Sequence, residues 1–481
     1  MFISAVDMTI VNVALPAISQ DLDASVGELQ WVLDAFLVAL AGLLLVGSGL
    51  ADRFGRKRVF LAGLAAFGVA SVLCSFAPYP IALIGARALM GAAAACVLPP
   101  ALSLIAVMFP PEERAQALGV WAGVAGVGLV LGPIMGGVLV EAIGWEAVFL
   151  VNVPVACAVV PVGLKVLPES TRPGTPPIDV PGAALSIVAL SGIVFALIEA
   201  PQSGWTSPLV LATGGIGLLA GVLFVRLELR TRYPLFDTRV LARPAVAGGA
   251  AAILSVYVAF LGTMFLLPQY LQYVHDRSVL TTGLLLTPLG VGAGVMARYN
   301  ARVAAALGAR VTIAAGLVAL AASTALLLLL SETTSVVLVM VAAGLIGALI
   351  SLSVPAATTV IMNDLGEEKA GDGGAVNQLA RQVGGAMGVA IIGTVFATVY
   401  SNRIDESLTE LSSARRDRAS ESIEEARDVI DTVGESTRGH LTDQVDQAFD
   451  VAARFGFATC VAILLLAAAL AAITLPPGRA G

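Results

Sequence analysis

The chain has 481 residues, of which 58% are hydrophobic and 13% charged, with a formal net charge of −7 and a mean hydropathy of +0.91. Ordinary soluble domains are about 45–50% apolar and about 25% charged, so a water-soluble fold of this size could not hide so much apolar side chain. The composition excludes a soluble enzyme, a nucleic-acid binder and a disordered scaffold, and indicates an all-α polytopic membrane protein partnered by the lipid bilayer. The four cysteines, Cys74, Cys96, Cys157 and Cys460, lie in apolar stretches and read as small buried residues. With only two histidines, no metal site and no cofactor are expected. The N-terminus has no basic n-region and Asp7 interrupts its apolar run, so no cleavable leader is expected.

A membrane span needs roughly 20 apolar residues. Fourteen candidates follow in chain order, at about 2–18, 29–51, 59–77, 80–108, 116–141, 146–167, 181–200, 208–228, 245–272, 281–298, 308–330, 335–362, 373–400 and 451–475. Most connections are short, which makes neighbouring helices antiparallel. The first candidate barely spans, so either helix 1 is short or the true start lies upstream. With the N-terminus cytoplasmic, seventeen basic residues fall inside, Arg172, Arg232 and Arg479 among them, against seven outside. This positive-inside bias places both termini in the cytoplasm, and Trp31, Trp145 and Trp205 near the outer interface. The loop 401–449 carries twelve acids against six arginines. Leu408, Leu411, Ile423, Val429, Ile430 and Val433 give it a loose helical period; a solvated helical excursion is expected, with substrate collection or partner binding as the alternative.

Charges within the spans are few. Each costs about 2.5–3.5 kcal/mol at mid-membrane and needs a partner or water. Asp7 and Asp34 lie on helices 1 and 2, Arg87 on helix 4 and Arg381 near the start of helix 13, with Asn377 and Gln378 one turn before it. Asp34, beside Trp31, reads either as a second proton site, as a cation-attracting residue of the outer mouth, or as an interfacial charge reaching for water. Arg381 reads as a lining residue or a helix-end anchor. Thr9, Asn12 and Pro16 share a face, whereas Asp7 lies roughly 140° from Asn12. The two therefore should not point into one cavity, and Asn12 should bond a neighbouring helix.

Two local patterns stand out. Between helices 2 and 3 the chain reads Gly49-Leu50-Ala51-Asp52-Arg53-Phe54-Gly55-Arg56-Lys57-Arg58. Glycines there flank a turn whose Asp52, Arg53 and Arg56 offer charge-assisted hydrogen bonds, able to latch two helix groups in one conformation and release them in another. A plain positive-inside anchor would explain Arg56 to Arg58 but not the glycines around Asp52. In the fifth span Gly128, Gly132 and Gly136 recur every four residues, with Pro133 and Gly137 between and after them. A bare backbone on one face allows close helix contact, and Pro133 can mark a bend. Simple tight packing and a hinge both fit.

These stretches resemble signatures of the major facilitator superfamily. The helix 2–3 loop is similar to its loop signature, and Leu83 to Ala95, built on Arg87 and Gly91, is similar to its fourth-helix pattern, with Met90 where that pattern has glutamine. Gly128 to Gly137 resembles the fifth-helix signature of its antiporters. Asp7-Met8-Thr9-Ile10-Val11-Asn12-Val13-Ala14-Leu15-Pro16, Gly204-Trp205, Leu267 to Gln272 and Arg381 to Gly385 resemble the fourteen-helix drug:proton antiporter branch, the EmrB/QacA type. A weak internal repeat aligns Leu307-Gly308-Ala309-Arg310 with the first latch, with Ala305 in the place of Asp52.

The resemblance implies a major facilitator fold with fourteen transmembrane helices. Two pseudo-symmetric six-helix halves (1–167 and 245–481, the latter holding loop 401–449) would rock around a central site, with helices 7 and 8 inserted in 168–244. It implies no enzyme, but efflux of a drug-like or antibiotic small molecule in exchange for protons across the cytoplasmic membrane, by a chain for which a monomer is favoured. Asp7 would carry the proton and Arg87 regulate it, since burial favours a neutral carboxyl and a nearby arginine a charged one; Asp34 joins them as a proton-coupling candidate. Asn12, Gln269, Tyr270, Asn377, Gln378 and Arg381 are the substrate-cavity candidates. The alternatives are an exporter dedicated to one endogenous metabolite or antibiotic, a proton symporter, and a membrane sensor that transports nothing.

Overall fold

The structure is a computed structural model that describes residues 2–109, 111–170, 179–231, 237–331, 335–366, 369–408, 411–432 and 435–475. Arg172, Arg232, Arg479 and Val433 lie outside the described residues. Among those described there are helices and no strand. In chain order they are α1 (Phe2–Leu22), α2 (Val26–Phe54), α3 (Arg56–Ser75), α4 (Pro80–Ala95), α5 (Leu98–Met108), α6 (Pro111–Ala142), α7 (Ala147–Leu150), α8 (Asn152–Val166), α9 (Val180–Ser203) and α10 (Pro208–Arg230). They continue with α11 (Pro244–Tyr273), α12 (Val279–Ala297), α13 (Asn300–Leu307), α14 (Ala309–Ala325), α15 (Val336–Leu365), α16 (Ala370–Ser407), α17 (Ser413–Ala419), α18 (Ile423–Asp431) and α19 (Glu435–Thr474). Twelve spans among the described residues are long and apolar enough to cross a membrane. Helices also occupy the first and fifth expected positions, as α1 and α6.

Helix starts follow the sequence. Ser25 and Glu28 form a reciprocal capping box at α2, and Asp179, Ser207, Ser278 and Ser335 cap α9, α10, α12 and α15. Gly55 (φ +109°) turns the chain between α2 and α3, and Gly308 (φ +78°) turns it between α13 and α14. Side chains with a Cβ are strained at such angles, so the two related loops share their glycine.

Three expectations shift. The first helix runs on through Pro16 to Leu22, about 31 Å at 1.5 Å per residue, so it is not short. The candidate 80–108 breaks at Cys96 and Val97 into α4 and α5, because Pro99 and Pro100 withhold the N–H groups that would continue the ladder. The loop 401–449 is largely built: α16 extends to Ser407, α19 starts at Glu435, and α17 and α18 lie between them. Its Leu408, Leu411, Ile423, Ala426, Val429 and Ile430 are buried. The loose period is thus an apolar face with a partner, and the loop is a cap rather than a free excursion.

Packing places the site. Helix α1 lies against α6 and α11, and α2 against α4, α9 and α16. Helix α11 meets α16 and α19, α12 meets α6 and α15, and α14 meets α15 and α19. The hairpin α9–α10 attaches through α9 to α2 and α16, while α10 leans on α9 and leaves Leu218, Leu219, Val222 and Val225 exposed, as a lipid-facing surface would be. With no water to drive association in lipid, close backbone contact does that work: a Cβ on Gly91 of α4 would lie 2.2 Å from the Phe36 carbonyl oxygen of α2.

Candidate functional site: a buried ion pair between α1 and α4

Helix α1 carries Asp7 and α4 carries Arg87, eighty residues apart in sequence and in contact in space. Arg87 Nη1 donates to both Asp7 oxygens, at 3.0 Å to Oδ1 and 2.8 Å to Oδ2. The two residues are 1% and 2% exposed. Arg87 Nε donates to the Val32 carbonyl at 2.9 Å, and the guanidinium stacks over the Phe36 ring, 4.5 Å from its centroid. Met90 also has a role here. Its sulfur lies 3.6 Å from Arg87 Nη1 and 3.8 Å from Ser71 Oγ, which accepts from Asn152 Nδ2 at 3.2 Å. A thioether accepts only weakly, so the arginine's strong acceptors are Asp7 and the Val32 carbonyl.

The pair opens on a small cavity of about 20 Å³, room for about one water. Its walls are Asp7 and Asn12 of α1, Leu33, Phe36 and Leu37 of α2, Arg87, Leu261 of α11 and Val389 of α16. Helices from both the N-terminal and the C-terminal parts of the chain therefore contribute. The angular expectation for Asn12 is corrected: Asp7 and Asn12 line the same cavity, because its walls come from four other helices and reach round α1.

Asp34 is neither at the outer mouth nor reaching for water. It lies eight residues inside α2, is 0% exposed, and neither carboxyl oxygen has a hydrogen-bond partner among the described residues. Nearby Gln30 is also buried, with its Nε2 unpartnered among those residues; it sits against Gly393 of α16. A charge held there would pay the full desolvation cost.

The glycine stripe of α6 crosses closely against α1 and α12. A Cβ on Gly132 would lie 2.0 Å from Thr9 Oγ1, and one on Gly136 3.1 Å from Ile10, so this face presses on α1 beside Asp7. A Cβ on Gly137 would lie 2.5 Å from Leu280 Cα of α12. In return, a Cβ on Gly283 of α12 would meet the Pro133 carbonyl at 2.1 Å. Gly128 is buried in the same helix.

The loop after α2 has local partners. Arg56 pairs with Asp52 at 2.9 Å, four residues back. Glu169, beyond α8, accepts from the Lys57 backbone N–H at 3.2 Å and faces Arg58 at 3.4 Å. Arg53 is exposed and lies over the Phe54 ring. Asp52 and Arg56 are thus paired with each other, and Lys57 and Arg58, just past Gly55, hold the start of α3 to Glu169 beyond α8.

The cavity candidates of the C-terminal half divide. Asn377 Oδ1 accepts from Arg381 Nε at 3.0 Å, Asn377 Nδ2 donates to Thr358 Oγ1 at 2.6 Å, and Arg381 stacks on Tyr257, making a half-buried polar cluster of α11, α15 and α16 with Gln378 on the same helix. Neither these residues nor Gln269 and Tyr270 are among those that line the small cavity beside Asp7. Gln269 Nε2 donates to the Phe265 carbonyl of its own helix, and Tyr270 OH donates to Asp450 of α19 at 2.7 Å. Gln272 is the residue of that motif that crosses, donating to the Val13 carbonyl of α1 at 3.0 Å.

The family model described as Major Facilitator Superfamily matches residues 1–389. The chain belongs to the major facilitator superfamily. Among relatives in this superfamily, the tetracenomycin C resistance and export protein of Streptomyces glaucescens is 33% identical, over 98% of this chain and 89% of its own length. The multidrug efflux pump LfrA of Mycolicibacterium smegmatis is 32% identical over 97% and 92%, and the puromycin resistance protein pur8 of Streptomyces alboniger 38% over 81% and 78%. In fold, this major facilitator is similar to a bacterial homologue of the human lysosomal transporter Spinster, in an inward-facing and unoccupied conformation. The TM-score is 0.66 and the identity 18%, over 98% of this chain and 94% of that one.

Proposed function

We propose that this major facilitator exports drug-like or antibiotic compounds from the cytoplasm in exchange for protons. The observation that carries the reading is the buried Asp7–Arg87 pair on a cavity walled by both halves. Proton uptake by Asp7 would remove its charge and free Arg87 for another acceptor; loss of the proton would restore the pair. That is a two-state element sensitive to protons in the place where the halves must slide. The glycine crossing of α6 beside Asp7 would be the hinge that transmits it, and the loop after α2 a latch that re-forms when the cytoplasmic side closes. Asp34 offers a second place to hold a proton, and the Asn377–Arg381 cluster a polar wall for substrate.

The same reading takes α1, α6 and the twelve spans as fourteen transmembrane helices. Two six-helix halves, 1–167 and 245–481, flank the inserted α9–α10 unit in 168–244, with both termini in the cytoplasm and the chain in the cytoplasmic membrane as a monomer. The export and resistance roles carried in the names of the relatives support efflux as the direction. A carrier dedicated to one antibiotic is the second reading, favoured by relatives named for a single compound.

Proton-driven uptake of a panel of cationic and neutral drugs into inverted vesicles tests this. Wild type is expected to exchange protons for several of them and Asp7→Asn for none. Transport of one compound only would select the dedicated exporter; full activity of Asp7→Asn would overturn the coupling role of Asp7.

A further inference from the structure

The acidic cap joins the two halves through one carboxyl group. Glu424 of α18 is half-buried, with Oε2 accepting from Ser19 Oγ of α1 at 3.2 Å and Oε1 accepting from Tyr273 OH at the end of α11. Beside it, the Glu421 carbonyl accepts from the Val26 N–H of α2 at 3.4 Å, and Arg427 Nη2 donates to the Tyr273 carbonyl at 2.9 Å and faces Asp446 of α19 at 3.3 Å. Tyr400 of α16 donates to the Ser422 carbonyl at 3.4 Å. The titratable and charged groups around Glu424 are therefore Arg427 and Asp428 on its own helix, Tyr273 from α11, Tyr400 from α16 and Asp446 from α19; Ser19 is what α1 presents.

The hydroxyl protons have to be shared. Ser19 Oγ lies within bonding distance of two acceptors, Glu424 and the Ala24 carbonyl at 2.9 Å, and has a single proton to give. With Glu424 ionised, one of the two goes without. With Glu424 protonated, its own O–H donates to Ser19 Oγ, Ser19 donates to Ala24, and Tyr273 still donates to Oε1.

We infer that Glu424 is an outer-gate proton site: its protonation from the outside closes the α17–α18 cap across the ends of α1 and α11, and its ionisation loosens the cap. This deepens the antiport reading and rests on it for sidedness. External protons would then favour closing the outer side after substrate leaves, which sets the carrier back toward the cytoplasm. Burial pushes the Glu424 carboxyl up from its ordinary 4.5 to about 7, a rise that its backbone and Ser19 hydrogen bonds and Arg427 only partly oppose. The sign agrees: a carboxyl raised in the closed state favours closure fully below about pH 4.5, and that contribution is lost as pH rises through about 7.

Spin labels on the exposed positions Gln20→Cys and Asp417→Cys, in a background without the four native cysteines, report the gap between α1 and the cap in nanodiscs. Wild type is expected to give one short distance at pH 5 and a growing longer population as pH rises through 7. Glu424→Gln, whose amide replaces the protonated acid, should keep the short distance throughout. Tyr273→Phe removes a donor to the ionised form, so its transition should survive with a higher midpoint. A pH-independent distance in wild type, or a transition unchanged in Glu424→Gln, overturns the inference. Asp7→Asn should lose efflux yet keep the cap transition; if it keeps efflux, the coupling role of Asp7 fails while the cap result still stands by itself.

Discussion

The N-terminal and C-terminal parts of the chain keep their charge in different places. In 1–167 it lies deep: Asp7 with Arg87, and Asp34 with no hydrogen-bond partner among the described residues, all under 3% exposed. In 245–481 the span charges Arg381, tied to Asn377, and Arg454, paired with Asp450, are half-buried, and twelve acids lie in 401–449. A buried charge is tolerated only with a partner or a function. On the proposed antiport reading, Asp7 and Asp34 would be the groups that exchange a proton within the membrane, while Leu261 of α11 and Val389 of α16 supply the opposite wall of the cavity. The same asymmetry appears in the two related loops, where Asp52 pairs with Arg56 but Ala305 leaves the second copy without its acid.

The hardest blow to this contrast should be Asp7→Asn. Removing one partner of a buried pair strands the other at a cost of about 3–5 kcal/mol, so proton-coupled efflux should vanish in vesicles. If Arg381→Gln abolished coupling equally while Asp7→Asn did not, the division of labour would be reversed.

Asp34→Asn comes next. The change is isosteric and breaks no hydrogen bond among the described residues, so thermal stability in detergent should hold. If Asp34 carries a coupled proton, one charge fewer at 100 mV is worth about 2.3 kcal/mol, a steady-state drug gradient up to roughly fiftyfold smaller. An unchanged gradient would leave Asp7 as the sole coupling carboxyl of the half.

The helix crossing should be more sensitive than any loop. Gly132→Ala drives a methyl into Thr9 Oγ1, and such overpacking costs about 1–3 kcal/mol. Efflux should fall about tenfold, in line with that energy. Thr9→Ala in the same chain should recover part of it, the coupling expected of neighbours. Absence of rescue would show that the strain lies in the backbones.

The smallest effect belongs to the loop after α2. Asp52 and Arg56 are partly exposed and four residues apart, so Asp52→Asn should cost stability under about 0.5 kcal/mol, most of it screened by solvent. A large loss of efflux at unchanged stability would show the latch acting across the halves in another state of the cycle.

Much of this was legible without coordinates because the cost it reflects is local. Apolar runs long enough to span, glycines four apart and charges inside spans each carry their physics within one helix, so the helical membrane fold, Asp7, Arg87, Asp34 and the α6 stripe all stand out in the sequence. What helical period leaves open is which face meets which neighbour. Only the packing put Asp7 on Arg87, left Asp34 without a donor among the described residues, turned Tyr270 to Asp450 and sent Gln272 to Val13. It also brought Asn12 and Asp7 onto one cavity despite the angle between them. The cap is the sharpest case. Twelve acids in a loop read as a solvated stretch because charge counts say nothing of what lies beneath. The folded chain buries the loop's few apolar residues, with α18 packed on α19, and so carries Glu424 to Ser19 of α1 and Tyr273 of α11.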